Sequence, residues 1–315
     1  MKTTVYFARK DNMGLIAYEN KQKQNVFLQI DNWEYAPQIV NTVICDASQY
    51  KLEGVITHCF EYQIEKKEKI DIGWKYKHIW KPLMNVNIQK ELDFSLVDLC
   101  HAKRDLGILI QKLQEILLYV EPSSEGLKAY SHKIRELLIL SCTDLESTFK
   151  KYKLGKNDKM SDYVKILNYV DLTKYHIGLV GYANPFKCCP FENWNKGKET
   201  KSLPWYDAYN QIKHNRDENF PLATLENCIN AISANLIMFA VRYAPMTLYN
   251  ENDVCSNLAR SSLSYTIEHS NDLYIPIIEG QRNYRDTSFQ FRNGNVIYGT
   301  YDIAQTIPFE EREVK

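Results

Sequence analysis

Between Trp205 and Phe220 the chain reads WYDAYNQIKHNRDENF, its densest set of groups able to grip a phosphate or move a proton. His214 supplies an imidazole, a side-chain type whose unperturbed pKa near ~6.5 suits acid and base work at neutral pH. Lys213 and Arg216 are cations that can hold a phosphate. On a single helix Asp207, Asn210, Gln211 and His214 fall at i, i+3, i+4 and i+7 and share a face. Trp205, Ala208, Tyr209 and Ile212 form the apolar side. An imidazole, an amide and a carboxylate on one stripe can orient a phosphate or ribose and pass a proton. Arg216 lies two residues past His214 and points away on a straight helix. It reaches the same place only if the helix stops near Asn215, where Asp217-Glu218-Asn219 and Pro221 predict an end. A plain structural reading stands beside this one. Cations are favoured at a helix C-terminus without any ligand, and a terminal His with Asn one turn earlier can be an ordinary polar contact.

These residues need a helical frame, and the central part of the chain supplies one. From about Leu92 the apolar period changes from two to about 3.6. Leu99, Ala102, Leu106, Leu109, Leu113, Leu117 and Val120 mark a first helix, ended by Pro122 and Ser123-Ser124. A second is expected from about Glu125 to Lys153, with Leu127, Tyr130, Ile134, Leu137, Leu138, Leu145 and Phe149 on its face. Its carboxylates Asp144 and Glu146 lie two apart and cannot share a face, so they form no obvious pair. Ser161 is the expected cap of a shorter helix. Lys174 to Tyr182 is ambiguous between helix and strand. The segment from Ala183 to Pro204 has no clear pattern, yet Phe186, Phe191 and Trp194 predict that it packs on something. A final long helix is expected near Pro221, with Leu222, Leu225, Ile229, Ile232, Leu236 and Phe239 forming a seam.

The two ends read differently. Thr3 to Phe7, Asn25 to Ile30 and Val55 to Phe60 are β-branched and aromatic runs separated by polar turns, and Ile70 to Trp80 alternates loosely. Near the C-terminus Leu273 to Ile278 and Ser288 to Tyr301 look like strands, with Asn293-Gly294 as a hairpin turn. The chain is therefore expected to be α+β. Its expected parts are a β-rich region over 1–90, a helical bundle over 91–250 and a small β-hairpin extension over 251–315.

Composition narrows the function. Lys+Arg and Asp+Glu balance at 39 each, so no overall positive field attracts nucleic acid and any such contact must be local. The lysines at 66, 67, 69, 75, 77 and 81 are interrupted by Glu65, Glu68 and Asp71, the pattern of a solvated strand face more than of a nucleic-acid patch, which stays open as the lesser reading. No stretch approaches the ~20 apolar residues of a membrane span, and the first residues lack the apolar run of a signal peptide. The eight cysteines include no CxxC pair and fit free thiols in a cytoplasm better than a disulfide framework. No His/Cys cluster completes Cys188-Cys189 as a metal site. There is no phosphate loop, no GxGxxG, no HExxH and no GxSxG. No cofactor is expected.

At these residues the helical part resembles the HEPN superfamily. The resemblance rests on about residues 93–245, on HKIRELLILSCTDLESTFK, LPWYDAYNQIKHNRDENF and the long helix that follows. HEPN domains are small helical bundles, and many are metal-independent RNases of toxin, antiphage and RNA-processing systems. Their motif is an arginine followed four to six residues later by a histidine, often RNxxxH. Asn210 to His214 matches NxxxH, but Tyr209 stands where the arginine belongs. In the family the Arg and His of paired domains form one composite site, and the 2′-hydroxyl of the RNA is the nucleophile. The resemblance thus implies a homodimer and RNA as partner. It implies His214 as acid, base or phosphate-positioning group, with Asn210 and Arg216 beside it and Lys213, Tyr209 and Asp207 around the substrate. Without the motif arginine the transition-state phosphate lacks its usual bidentate cation. Two functions stay open: a metal-independent endoribonuclease or RNA-binding effector of prokaryotic defence, and a non-catalytic interaction module in which YNxxKHxR locks a helix junction.

Overall fold

The structure is a computed structural model. It describes residues 2–32, 38–47, 51–84, 89, 92–182, 186–249, 252–267, 273–290, 296–306 and 310–314. The chain is α+β, in two compact units. One comprises Met1–Lys75, Lys81–Asn85 and Asn271–Arg312, and the other Tyr76–Trp80, Val86–Ser270 and Glu313–Lys315. The C-terminal 65 residues therefore divide between the units.

The first unit is built on a five-stranded antiparallel sheet. Its strands are β1 (Lys2–Lys10), β2 (Met13–Glu19), β3 (Gln24–Asp31), β4 (Gln38–Asp46) and β5 (Gln63–Asp71), in the order β4-β3-β2-β1-β5. Its inner strands β2 and β3 are apolar on both faces because both faces are covered. Val5, Ile16, Tyr18, Val26, Leu28 and Ile30 form one layer with Ile275, Ile277 and Ile278 from the C-terminal segment. Tyr6, Leu15, Ala17, Phe27 and Val43 form the other with Val55, Ile56 and Phe60. Those last three were expected in a strand but lie in a helical turn, Leu52–Cys59, and the residue after it. A strand would send Val55 and Ile56 to opposite faces, and a helical turn lets both cover the sheet. The expected strand at 273–278 also begins later. Residues 273–277 have no regular structure, and their apolar side chains serve as a lid on the sheet.

The basic run at 66–69 lies on edge strand β5, where Lys66 pairs with Glu68 and Lys67 with Glu53. β6 (Trp74–Tyr76) follows.

The second unit is helical. Its main helices are α1 (Leu96–Leu117), α2 (His132–Lys150), α3 (Pro204–His214), α4 (Leu225–Tyr243) and α5 (Val254–Ser262). Strands β7 (Tyr175–Leu179), β8 (Lys187–Cys188) and β9 (Leu263–Ile267) form a small sheet in the order β8-β7-β9. Side-chain caps set the helix starts: Ser95 accepts from the N–H of Asp98, Ser131 from Ile134, Thr224 from Asn227 and Asp253 from Ser256. The second helix accordingly begins at His132 and not at Glu125; Gly126–Lys128 is a 3₁₀ turn. The long helix begins after Thr224, and Phe220–Leu222 is another such turn. The short helix at Met160–Tyr163 follows Lys159, with Ser161 inside it.

α4 is buried on nearly all sides, from Leu225 and Cys228 to Val241 and Tyr243, and α1, α2 and α3 pack on it. No helix among the described residues is long and apolar enough to cross a membrane. β10 (Ile278–Gln290) and β11 (Val296–Thr306) pair antiparallel, and β12 (Glu310–Arg312) pairs with β6. The expected Asn293-Gly294 turn lies outside the described residues.

Candidate functional site

α3 is set by its apolar side. Trp205, Tyr206, Ala208, Tyr209 and Ile212 are buried, and Pro204 occupies its first turn, where the missing N–H costs nothing. A chain of rings holds it in place. Phe149 of α2 lies 5.5 Å from Trp194, Phe191 is 6.1 Å from Trp205, and Tyr206 is 5.5 Å from Tyr209. The proline-containing segment before α3 thus packs through Phe191 and Trp194, and Trp205 Nε1 donates to the Pro190 carbonyl at 2.8 Å. Tyr206 donates from its hydroxyl to Glu146 Oε1 of α2 at 2.7 Å. Burial first, and then the Glu146 carboxylate, push the Tyr206 pKa far up, so this hydroxyl stays protonated and acts as a tether.

The opposite side of α3 carries the polar stripe. Asp207 and Asn210 are half-buried, and Gln211, Lys213 and His214 are exposed. Gln211 Nε2 donates to Asp207 Oδ2 at 2.7 Å. Lys213 Nζ donates to the Tyr209 hydroxyl at 3.4 Å and lies 5.4 Å from the ring centroid. The Tyr209 hydroxyl raises the Lys213 pKa. Tyr209 itself is 2% exposed, a ring of the core. Among the described residues none hydrogen-bonds the side chains of Asn210, His214 or Arg216.

His214 is the last residue of α3. Asn215 is extended, with φ −139° and ψ 92°, and the chain turns back. Asn219 fixes this reversal: its N–H donates to the Asn215 carbonyl at 3.2 Å and its amide Nδ2 to the Gln211 carbonyl at 3.0 Å. Asn215 Nδ2 donates to Glu218 at 2.6 Å. The exposed Arg216 therefore sits on a reversing loop and not on a continued helix.

The loop ends at Phe220, which is pinned to the start of α2. His132 stacks on it at 4.8 Å, Arg135 places its guanidinium 4.9 Å from the ring centroid, and Tyr130 meets its edge at 5.4 Å. Arg135 is 8% exposed. Arg135 is one of the charged residues that the second helix offers in the sequence, whereas His132 carries no signal of its own there. They stand at i and i+3 in the first turn after a serine cap, and that spacing is the signal that marks them.

Comparison with protein-family models, with curated proteins and with solved structures finds no match to this chain. The cysteines at 188 and 189 take separate partners: Cys188 Sγ donates to Ser233 Oγ at 3.3 Å and Cys189 Sγ to the Thr173 carbonyl at 3.1 Å. Among the described residues no group of three or more His, Cys, Asp and Glu side chains could hold a metal ion.

Proposed function

We propose that the protein is an RNA-binding effector of the HEPN type and cleaves RNA without a metal ion at the C-terminal end of α3. The observation that carries this reading is the helix end at His214. An exposed imidazole without a hydrogen-bond partner among the described residues closes the helix, Asn210 stands one turn behind it, and the chain reverses so that Arg216 is free to return. A histidine that locked a helix junction would be bonded to it. Here Asn219 does that work.

In the proposed reaction the 2′-hydroxyl oxygen attacks phosphorus as its proton passes to one His214. The bond from phosphorus to the 5′-oxygen breaks, and that oxygen takes a proton from the His214 of a second copy. The products are a 2′,3′-cyclic phosphate and a free 5′-hydroxyl. Arg216 faces the charge that builds on the phosphoryl oxygens. The packing of α1, α2 and α3 on α4 supports an antiparallel HEPN-like bundle as the frame.

The test is incubation of the purified protein with end-labelled single-stranded RNA in the presence of a chelator. Cyclic-phosphate ends are expected, and His214→Ala abolishes them. Undiminished cleavage by His214→Ala overturns the site assignment. A second reading, binding without turnover, rests on Tyr209, whose buried ring takes the place of the motif arginine and draws Lys213 toward itself. RNA retention with no product selects that reading, and absence of both retention and product refutes the two together.

A further inference from the structure

A second group of charged side chains lies away from α3, where α1, α2 and α4 meet. A cleft of about 200 Å³ opens there. Asp105 of α1 and Asp144 of α2 line it, as do Lys151 beyond the end of α2 and Arg242 of α4. None of these four side chains forms an ion pair with a described residue. Among the described residues Arg242 Nε is buried without a hydrogen-bond partner, and its guanidinium lies 5.9 Å from the Tyr243 ring centroid. Two charges of each sign thus line one cavity without neutralising one another.

The charges are also sorted. Asp144 and Lys151 are seven residues apart, about two turns or ~10 Å along the helix direction. Burial, and after it the Asp105 carboxylate, raises the Asp144 pKa. Lys151 and Arg242 are felt together at Asp98, at the other end. Asn235 also lines the cleft and donates its amide hydrogens to the Ser141 and Ala231 carbonyls, at 2.8 and 2.9 Å. Leu106 and Met238 make the stretch between apolar.

We propose that this cleft binds a small zwitterion. Its ammonium or guanidinium end lies against Asp105 and Asp144, its carboxylate or phosphate end against Lys151 and Arg242, and its aliphatic middle along Leu106 and Met238. Such a ligand brings a counter-charge to each pair, and a ligand of one sign meets only half of the cleft. This site is separate from the RNA site, so the two stand or fall independently.

Isothermal titration of the full chain with ω-aminooctanoate, γ-aminobutanoate, octanoate and octylamine tests it. ω-Aminooctanoate should bind at least about tenfold tighter than either single-charge probe and tighter than the short zwitterion. Asp144→Asn should weaken it about tenfold and leave octanoate unchanged; Lys151→Ala should weaken it and leave octylamine unchanged. His214→Ala should leave its affinity unaltered. Failure of every probe to bind overturns the proposal. So does equal affinity for ω-aminooctanoate and its single-charge analogues, or indifference to both cleft substitutions. Lys151 is exposed and Asp144 half-buried, so both variants should melt at the parent temperature.

Discussion

Changing Asp253 to alanine should destabilise the helical unit by about 2–3 kcal/mol, and two milder substitutions divide that loss into its parts. Asp253 caps α5 by accepting from the Ser256 N–H at 2.9 Å, and it accepts from Lys103 Nζ at 2.6 Å. Loss of a helix N-cap costs about 1 kcal/mol. Lys103 is 8% exposed, so its ammonium loses this carboxylate in poorly solvated surroundings. Breaking a fully buried pair costs about 3–5 kcal/mol. The Asp253 side chain is 39% exposed, however, so water screens the pair. The discounted figure is about 1–2 kcal/mol. Asp253→Asn keeps a good cap and removes the charge, so it should cost only that part. Lys103→Met keeps the aliphatic stem and should cost within about 1 kcal/mol. Urea unfolding followed by far-UV circular dichroism reads the order. A harmless Asp253→Asn, or a Lys103→Met as costly as Asp253→Ala, refutes the reasoning. Acid adds a second check. Burial opposes the charge on Asp253, but the hydrogen bonds from Lys103 and Ser256 outweigh it and hold the carboxyl at about 2. A depressed folded pKa gives stability that is complete above the ordinary carboxylate value of ~3.9 and is lost as pH falls through about 2. The gap between parent and Asp253→Asn should therefore be flat down to about pH 4 and close below it.

In the sheet unit, Tyr18→Phe should cost about 2–3 kcal/mol, read as a lower urea midpoint and faster proteolysis after Leu273. The buried hydroxyl donates to the Pro276 carbonyl at 2.6 Å and accepts from the Ile278 N–H at 3.0 Å, so its removal orphans two backbone groups. Ala244 ends α4 with φ 68°, a conformation that glycine takes without strain. Ala244→Gly should raise stability by about 0.5–1 kcal/mol, and a loss of stability would show that no strain is held there. At the candidate site His214→Ala should change stability by less than about 0.5 kcal/mol, whereas Asn219→Ala should lower it by about 1 kcal/mol. Equal losses in the two variants would favour a structural lock at His214.

Much of this arrangement was readable in the residues. The stripe of Asp207, Asn210, Gln211 and His214 and the apolar side of Trp205, Ala208, Tyr209 and Ile212 follow from helical periodicity, and the observed burial divides α3 along that line. The end near Asn215 was legible because Asp, Glu, Asn and Pro crowd there. β1 and β3 were legible for their β-branched runs. β2 and α5 were not, since Met13 to Glu19 carries glycine and alanine and Val254 to Ser262 is short and small-sided. Val55 to Phe60 misled, because β-branched residues serve a covering helical turn as well as a strand. Asp144 shows the limit most clearly. Within its own helix it pairs with nothing, and its partner Asp105 comes from α1, about forty residues earlier.

Periodicity and capping are local, and they sufficed for the long helices, their solvent-facing stripes and the polar end of α3. Which distant side chains meet is a matter of packing, which one strand or helix does not contain. The return of the C-terminal isoleucines to the first sheet, the pinning of Phe220 between His132 and Arg135, and the sorting of charges in the three-helix cleft all arise there.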